Sequence, residues 1–197
     1  MSMKEKRENS SGKRGLGWRL AVWGTAVFLP LLPLVAMQFT EEVQWTLLDF
    51  VVFGAMLAGA CGAYELAARA SGNGVYRTAA GVAVMAAFIL VWLSLGVGII
   101  GRDGDPANLM VFGVLAVGIV GAVIARLQAH GMAVVMFAMA LSQALVAAIA
   151  LIAGLGRPWS GPAEIMLLNG FFIVLFTGSA LLFRKAAQEQ THPNPTR

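Results

Sequence analysis

Charged residues are scarce in this chain, and their scarcity limits its class more than any other feature. Asp, Glu, Lys and Arg make up 12% of the 197 residues, whereas hydrophobic residues make up 58%. Soluble globular domains typically carry about a quarter charged residues, because a water-facing surface needs them. The composition therefore excludes an ordinary soluble domain. It indicates an integral membrane protein whose first partner is the lipid bilayer.

Reactive side chains are also rare. Cys61 is the single cysteine, which excludes an intramolecular disulfide and a thiolate metal cluster. The two histidines, His130 and His192, fall in a predicted loop and a predicted tail, so an intramembrane metal-protease or haem-ligand pattern is not available. The sequence contains no Walker loop, nucleophile elbow or dinucleotide fingerprint. We therefore expect no enzymatic activity and no cofactor.

Long hydrophobic runs account for most of the chain. Each is close to the roughly 20 residues that a helix needs to cross a bilayer core, which favours helices over the shorter alternating strands of a barrel. The sequence predicts an all-α membrane protein with six transmembrane helices, at about 20–37, 47–68, 78–101, 107–125, 132–153 and 163–183. This bundle spans 18–185, and polar tails at 1–17 and 186–197 are expected to be disordered.

Basic residues mark the ends of these runs. Twelve of the 14 Lys and Arg residues fall on one predicted side, and Arg102 and Arg157 fall on the other. The positive-inside rule then places both termini in the cytoplasm. The net charge of +4 comes from these basic residues at the ends of the hydrophobic runs, which serve as topology signals, so we expect no nucleic-acid partner. A basic tail before the first run also fits a secretory signal, but the repeat described next needs that run as a retained helix.

Three helix starts share one pattern, which predicts that a two-helix hairpin occurs three times. Thr46, Asp105 and Gly161 each stand where a helix cap is expected, and a polar side chain follows at the third helical position. A glycine and then an arginine follow each start at similar offsets: Gly54, Gly113 and Gly170, then Arg69, Arg126 and Arg184. Because each repeat has an even number of helices, the repeats would be parallel.

The third-position side chains Asp49, Asn108 and Glu164 support two hypotheses. Near a helix start they can accept hydrogen bonds from the cap, and the helix dipole favours the two acids there. Alternatively, three equivalent oxygen-bearing groups can surround an axial path, since polar residues within a membrane are functional candidates. Capping is the favoured hypothesis because each residue matches a helix start.

Gln143 and Asn169 are candidates for a contact between the fifth and sixth predicted helices. With those helices antiparallel, the two amides fall at similar depth. A hydrogen bond between them would contribute about 1 kcal/mol to helix association. The alternative is that both line a polar path for a substrate.

Other polar side chains are expected to have structural roles. Glu65 and Arg69 have the spacing of a helical ion pair. Serines within helices commonly bond to the backbone of their own helix, and this is expected of Ser94, Ser142 and Ser179.

Two segments carry a resemblance to known proteins. They are Ile99-Ile100-Gly101 and Asp105-Pro106-Ala107-Asn108-Leu109-Met110-Val111-Phe112-Gly113-Val114-Leu115-Ala116-Val117-Gly118. Around them the chain resembles a group of small, uncharacterised, multi-pass bacterial inner-membrane proteins, over about 45–185. The resemblance implies a bacterial inner-membrane location and no particular chemistry, so no site residue is transferred from it.

Two functions fit these features. The first is a non-catalytic accessory, assembly or structural component of the membrane, with another membrane protein or further copies of itself as partner. The second is a small transporter or channel-like protein for an ion or small solute. Its path would use Asp49, Asn108, Gln143, Glu164 and Asn169.

Overall fold

Helices make up the regular structure of the described residues, and no strand occurs among them. The computed structural model describes residues 45–191 without a break, together with the isolated positions 24, 28, 35 and 37–39. The helices are α1 Leu47–Ala70, α2 Gly74–Gly96, α3 Met110–Ile124, α4 Ala129–Ile152 and α5 Pro162–Thr191. A short 3-10 helix, Pro106–Leu109, leads into α3.

Five helices of the described part are long and apolar enough to cross a membrane. One of these spans, Pro106–Ile124, joins the 3-10 helix to α3. The all-α prediction is confirmed for these residues, and the five spans indicate a multi-pass membrane protein. The predicted first helix at 20–37 lies almost wholly outside the described residues, as does the predicted tail at 1–17. The count of six helices therefore stays a prediction.

The chain divides into two compact units, residues 1–62 and residues 63–197. The boundary falls within α1, so the first unit contains the beginning of that helix. The second unit contains its last turns and all of α2, α3, α4 and α5.

The three predicted helix starts are confirmed, since helices begin at Leu47, Pro106 and Pro162. At the first start the backbone N–H of Thr46 donates to Asp49 Oδ2 at 2.7 Å, and the N–H of Asp49 donates to Thr46 Oγ1 at 3.4 Å. These reciprocal bonds form a capping box, which gives partners to N–H groups that a helix start leaves unpaired.

Two helix ends differ from the prediction. α2 ends at Gly96, five residues before the predicted end, because Gly98 takes a positive φ and its N–H donates to Leu93 O at 2.8 Å. Ile99 and Ile100 are buried in the loop that follows. Their apolar side chains suggested a longer helix, but they pack in the core instead.

α5 continues to Thr191, past the predicted end at 183 and into the segment predicted as a disordered tail. Ala186 is fully buried, and Asn73 Nδ2 donates to Glu189 Oε2 at 2.9 Å. Packing and this hydrogen bond stabilise a segment whose polar composition suggested disorder.

Within the second unit, α5 packs against α4 and α2, and α3 packs against α4, whereas α2 and α3 meet over few residues. The buried side chains form one core, of which the largest are Tyr76, Leu90, Phe172, Phe176 and Phe183. The hairpin of α4 and α5 is thus closely packed, but the segment 97–105 separates α2 from the 3-10 helix. This packing does not confirm the predicted repeat of three matched hairpins.

Glycines allow the close approach of α3 to α4. A Cβ atom added to Gly118 would lie 2.7 Å from Met139 Sδ, and one added to Gly121 would lie 2.8 Å from the methyl carbons of Val135. Small residues at such positions bring helix backbones together, as in other membrane bundles.

The two ends of the second unit differ in composition. We call residues 69–77, 125–130 and 184–191 the basic end, and residues 97–105 and 153–161 the glycine-rich end. At the basic end the Tyr76 hydroxyl donates to Leu127 O at 2.6 Å, which joins the start of α2 to the turn between α3 and α4. The Arg77 guanidinium donates to the carbonyls of Ala68 and Ser71, which lie at and just past the end of α1.

Candidate functional site

The centre of the second unit contains an amide pair. Gln143 on α4 and Asn169 on α5 are both fully buried, and Gln143 Nε2 donates to Asn169 Oδ1 at 2.7 Å. Asn169 Nδ2 in turn donates to Ile165 O, one turn earlier on α5, at 2.8 Å. The predicted contact between these two side chains is confirmed, and it links the two most closely packed helices.

The amide pair leaves one atom without a partner. Gln143 Oε1 is buried and accepts no hydrogen bond from the residues that the structure describes. Such an atom loses its hydration on folding, at a cost of about 1–3 kcal/mol when nothing replaces the water. Among the described buried side chains, Gln143 Oε1 is therefore the atom that would gain most from a hydrogen-bond donor.

Asn108 has different partners from those expected of a capping residue. Its Oδ1 accepts from the backbone N–H groups of Ile99 at 2.8 Å and Ile100 at 3.0 Å. Its Nδ2 donates to Ile100 O at 3.2 Å and Arg102 O at 3.0 Å. The prediction that Asn108 reaches back to Asp105 is wrong, because the preceding loop wraps around the amide and uses its bonding groups.

The loops of the glycine-rich end interlock next to Asn108. Ser160 Oγ donates to Gly101 O at 3.1 Å and accepts from Gly101 N at 3.2 Å. Gly156 packs against the backbone of the same loop segment, since a Cβ atom added to Gly156 would be 2.7 Å from Gly101 N. The two loops are therefore held in direct backbone contact at this end of α2, α3, α4 and α5.

The two candidate acids are at helix starts. Asp49 is exposed and its carboxylate bonds to the cap residue Thr46, as the capping hypothesis predicts. Glu164 is exposed in the first turn of α5. Of the five candidate residues, the structure brings together Gln143 and Asn169, directs Asn108 into its own loop, and leaves Glu164 on the surface of the second unit. Asp49 belongs to the first unit.

The remaining polar predictions are confirmed with one exception. Arg69 donates to Glu65 at 2.7 Å, and Ser94 and Ser142 bond to carbonyls one turn earlier in their own helices. Ser179 differs, because its Oγ donates to Ala79 O on the neighbouring helix α2 at 2.9 Å. Sequence reasoning missed this bond since a serine between two packed helices has the same local pattern as one that bonds within its helix.

The chemistry of this centre is that of neutral amides. Among the residues that the structure describes, no group of three His, Cys, Asp or Glu side chains is placed to hold a metal ion. Gln143 and Asn169 can donate and accept hydrogen bonds but do not titrate in the physiological range. The arrangement suits helix association or the binding of a small neutral hydrogen-bonding molecule.

Comparisons with known proteins found no match: no protein-family model, no curated protein and no solved structure is similar to this chain. The resemblance carried by residues 99–101 and 105–118 stays a prediction.

Proposed function

We propose that this protein is a non-catalytic component of the bacterial inner membrane that supports the assembly or the structure of a larger membrane complex. The observation that carries the proposal is the way the polar side chains of the second unit are used. Asn108, Ser160 and Ser179 bond to backbone atoms of the protein itself, and Asn169 bonds to Ile165 O and Gln143. A protein whose buried polar groups join its own segments is suited to presenting a fixed surface to a partner.

The proposal includes six helices in three related hairpins, with both termini in the cytoplasm. The charges support this orientation, because the basic end carries Arg69, Arg77, Arg126, Arg184 and Lys185. The glycine-rich end carries Arg102 and Arg157 together with Asp103 and Asp105. Trp159 is exposed there with the Arg102 guanidinium 5.4 Å from its ring centre, a pairing that suits a membrane–water interface.

The composition of the solubilised particle tests the proposal. The full chain, tagged at its C-terminus, would be extracted in a mild detergent and its mass measured by light scattering coupled to size exclusion. We expect a particle that contains a second membrane protein, or further copies of the chain, at a constant ratio. An unrelated multi-pass protein expressed at the same level is the control for trapped material. A homogeneous particle containing one chain would contradict the proposal.

Transport of an ion or small solute is the second candidate function, and Gln143 Oε1 is the observation that favours it. A buried acceptor with no described partner is a group that a permeating molecule could use. Within the second unit, Asn169 is the candidate residue that contacts Gln143 and would line the path with it.

Liposomes containing the purified protein and a pH-sensitive or potassium-sensitive dye test this second function. If the protein transports either ion, Asn169→Ala and Gln143→Ala should slow the flux, whereas Ser142→Ala should not, because Ser142 bonds within its own helix. Equal flux from the parent and from both variants would exclude this path, as would no flux above that of empty liposomes.

A further inference from the structure

Gln143 Oε1 is the one buried side-chain oxygen or nitrogen without a hydrogen-bond partner among residues 45–191. Gln143 lies 14 residues after the start of α4 and nine before its end. At 1.5 Å per residue, the nearer helix end is about 14 Å away. The unpaired atom is therefore in the interior of the second unit, where bulk water does not reach its side chain.

Besides the unpaired oxygen, the two amides have hydrogens that make no hydrogen bond. Gln143 Nε2 carries two hydrogens and uses one on Asn169 Oδ1. Asn169 Nδ2 likewise carries two and uses one on Ile165 O. A molecule that donates to Gln143 Oε1 and accepts one of the spare hydrogens would complete the network.

Small and larger side chains flank Gln143 along its own helix, and Met139 and Val146, four residues before it and three after it, are buried there. Ala140, Ala147 and Ala150 lie three residues before it and four and seven residues after it, on the same face of α4. Ala140 and Ala150 are buried. Because these side chains pack along the helix next to the amide, a ligand at this position must be small.

The energetics favour a neutral ligand. A water that bridges two buried polar groups makes hydrogen bonds nearly as favourable as direct ones, whereas an unpaired carbonyl oxygen loses its hydration without any replacement. The two amides carry no charge, and neither bonds to an acidic side chain, so a neutral molecule needs no compensating charge at this site. We propose that Gln143 and Asn169 form an internal water-binding site between α4 and α5, in which the water donates to Gln143 Oε1 and accepts from a spare amide hydrogen.

Nuclear magnetic resonance on the full chain in detergent micelles tests this site. The side-chain amides of Gln and Asn would be labelled with 15N, and magnetisation transfer from water to them would be recorded. We expect cross peaks between water and the amide hydrogens of Gln143 and Asn169, with opposite signs in the laboratory-frame and rotating-frame experiments, as a bound water gives.

Two variants make the assignment specific. Ser142→Ala removes the neighbouring hydroxyl, whose exchange with water could produce a similar signal, and should leave the cross peaks unchanged. Gln143→Met removes the acceptor and should abolish the cross peak at Asn169. If Gln143→Met does not fold, the water cross peaks of the parent protein alone test the proposal. Absence of a water cross peak at Gln143, or a cross peak to a side-chain proton of residues 1–44 in its place, would overturn it.

Discussion

Asn108 shows how much structure a single side chain can organise. Its carboxamide has one acceptor oxygen and two donor hydrogens, and it bonds to four backbone groups of Ile99, Ile100 and Arg102. Those backbone groups lie in a loop, where no helix or sheet can pair them. The amide therefore performs the function that regular secondary structure has elsewhere in the chain.

Replacing Asn108 by alanine should lower the free energy of unfolding by about 2–4 kcal/mol, because two N–H groups and two carbonyls lose their partner in a buried loop. Unfolding in micelles by titration with sodium dodecyl sulfate, followed by circular dichroism, measures the change. Gln128→Ala is the matched control, since Gln128 is exposed and makes no side-chain bond at the start of α4. That control should change stability by less than about 0.5 kcal/mol. Equal stability of the two variants would show that the loop does not depend on Asn108.

Arg126 gives a prediction of the opposite sign. Its φ is 49°, in the left-handed region that side chains with a Cβ atom adopt at a cost of about 1 kcal/mol or more. Arg126→Gly should therefore raise the free energy of unfolding by about 1 kcal/mol in the same assay. Arg184→Gly removes the same charge from an exposed position inside α5, where glycine should cost about 1 kcal/mol. Destabilisation of similar size in both variants would contradict the argument from backbone conformation.

At the scale of the elements, the two ends of the second unit are held together in different ways. The basic end uses side chains, with Tyr76 and Asn73 bonding across to Leu127 and Glu189. The glycine-rich end combines the Ser160–Gly101 hydrogen bonds with close backbone contact between the loops, which only residues without a Cβ atom allow. Glycine substitutions at the glycine-rich end therefore test whether close contact between the loops stabilises the fold.

Gly156→Ala should lower the free energy of unfolding by about 2–4 kcal/mol, since the new methyl group would lie 2.7 Å from Gly101 N and the residue has a φ of +84°. Gly104→Ala is the matched control. Gly104 also has a positive φ, +74°, but no atom lies within 4 Å of an added Cβ. The control should lose only the conformational term of about 1 kcal/mol. If both variants lost the same amount, close contact between the loops would not be the cause.

At the scale of the whole molecule, the proposed orientation and the number of crossings can be measured together. Cys61 is the only cysteine, so a Cys61→Ser background accepts single new thiols. Gly72→Cys at the basic end and Asp103→Cys at the glycine-rich end, both exposed positions, should react with a membrane-impermeant maleimide from opposite faces. We expect Gly72→Cys to react from the cytoplasmic face.

A third variant, Ser10→Cys, tests the helix predicted at 20–37. If that segment crosses the membrane, Ser10→Cys should react from the same face as Gly72→Cys. Reaction from the same face as Asp103→Cys would reduce the number of crossings to five. Inside-out vesicles and intact spheroplasts, prepared from the same cells, provide the two accessible faces.

The helices of the described residues, the three capped starts and the amide pair could be predicted from the sequence. Hydropathy over about 20 residues determines a membrane helix, and cap residues determine where it begins, because both depend on neighbours along the chain. Gln143 and Asn169 could be paired because two antiparallel helices joined by a short loop set their relative depth. The other candidates of the second unit could not be grouped in the same way, since Asn108 bonds to its own loop and Glu164 is exposed at the start of α5.

Tertiary structure alone decided how the loop after α2 is held, how far α5 extends and what Ser179 binds. Ile99 and Ile100 have the composition of a helix but are buried in a loop, and residues 186–191 have the composition of a tail but remain helical. In each case a partner distant in sequence supplies the deciding contact: Ser160 for Gly101, Asn73 for Glu189, and Ala79 for Ser179. Local sequence determines which segments can be helical in a membrane, whereas the hydrogen bonds between segments depend on which helices pack together.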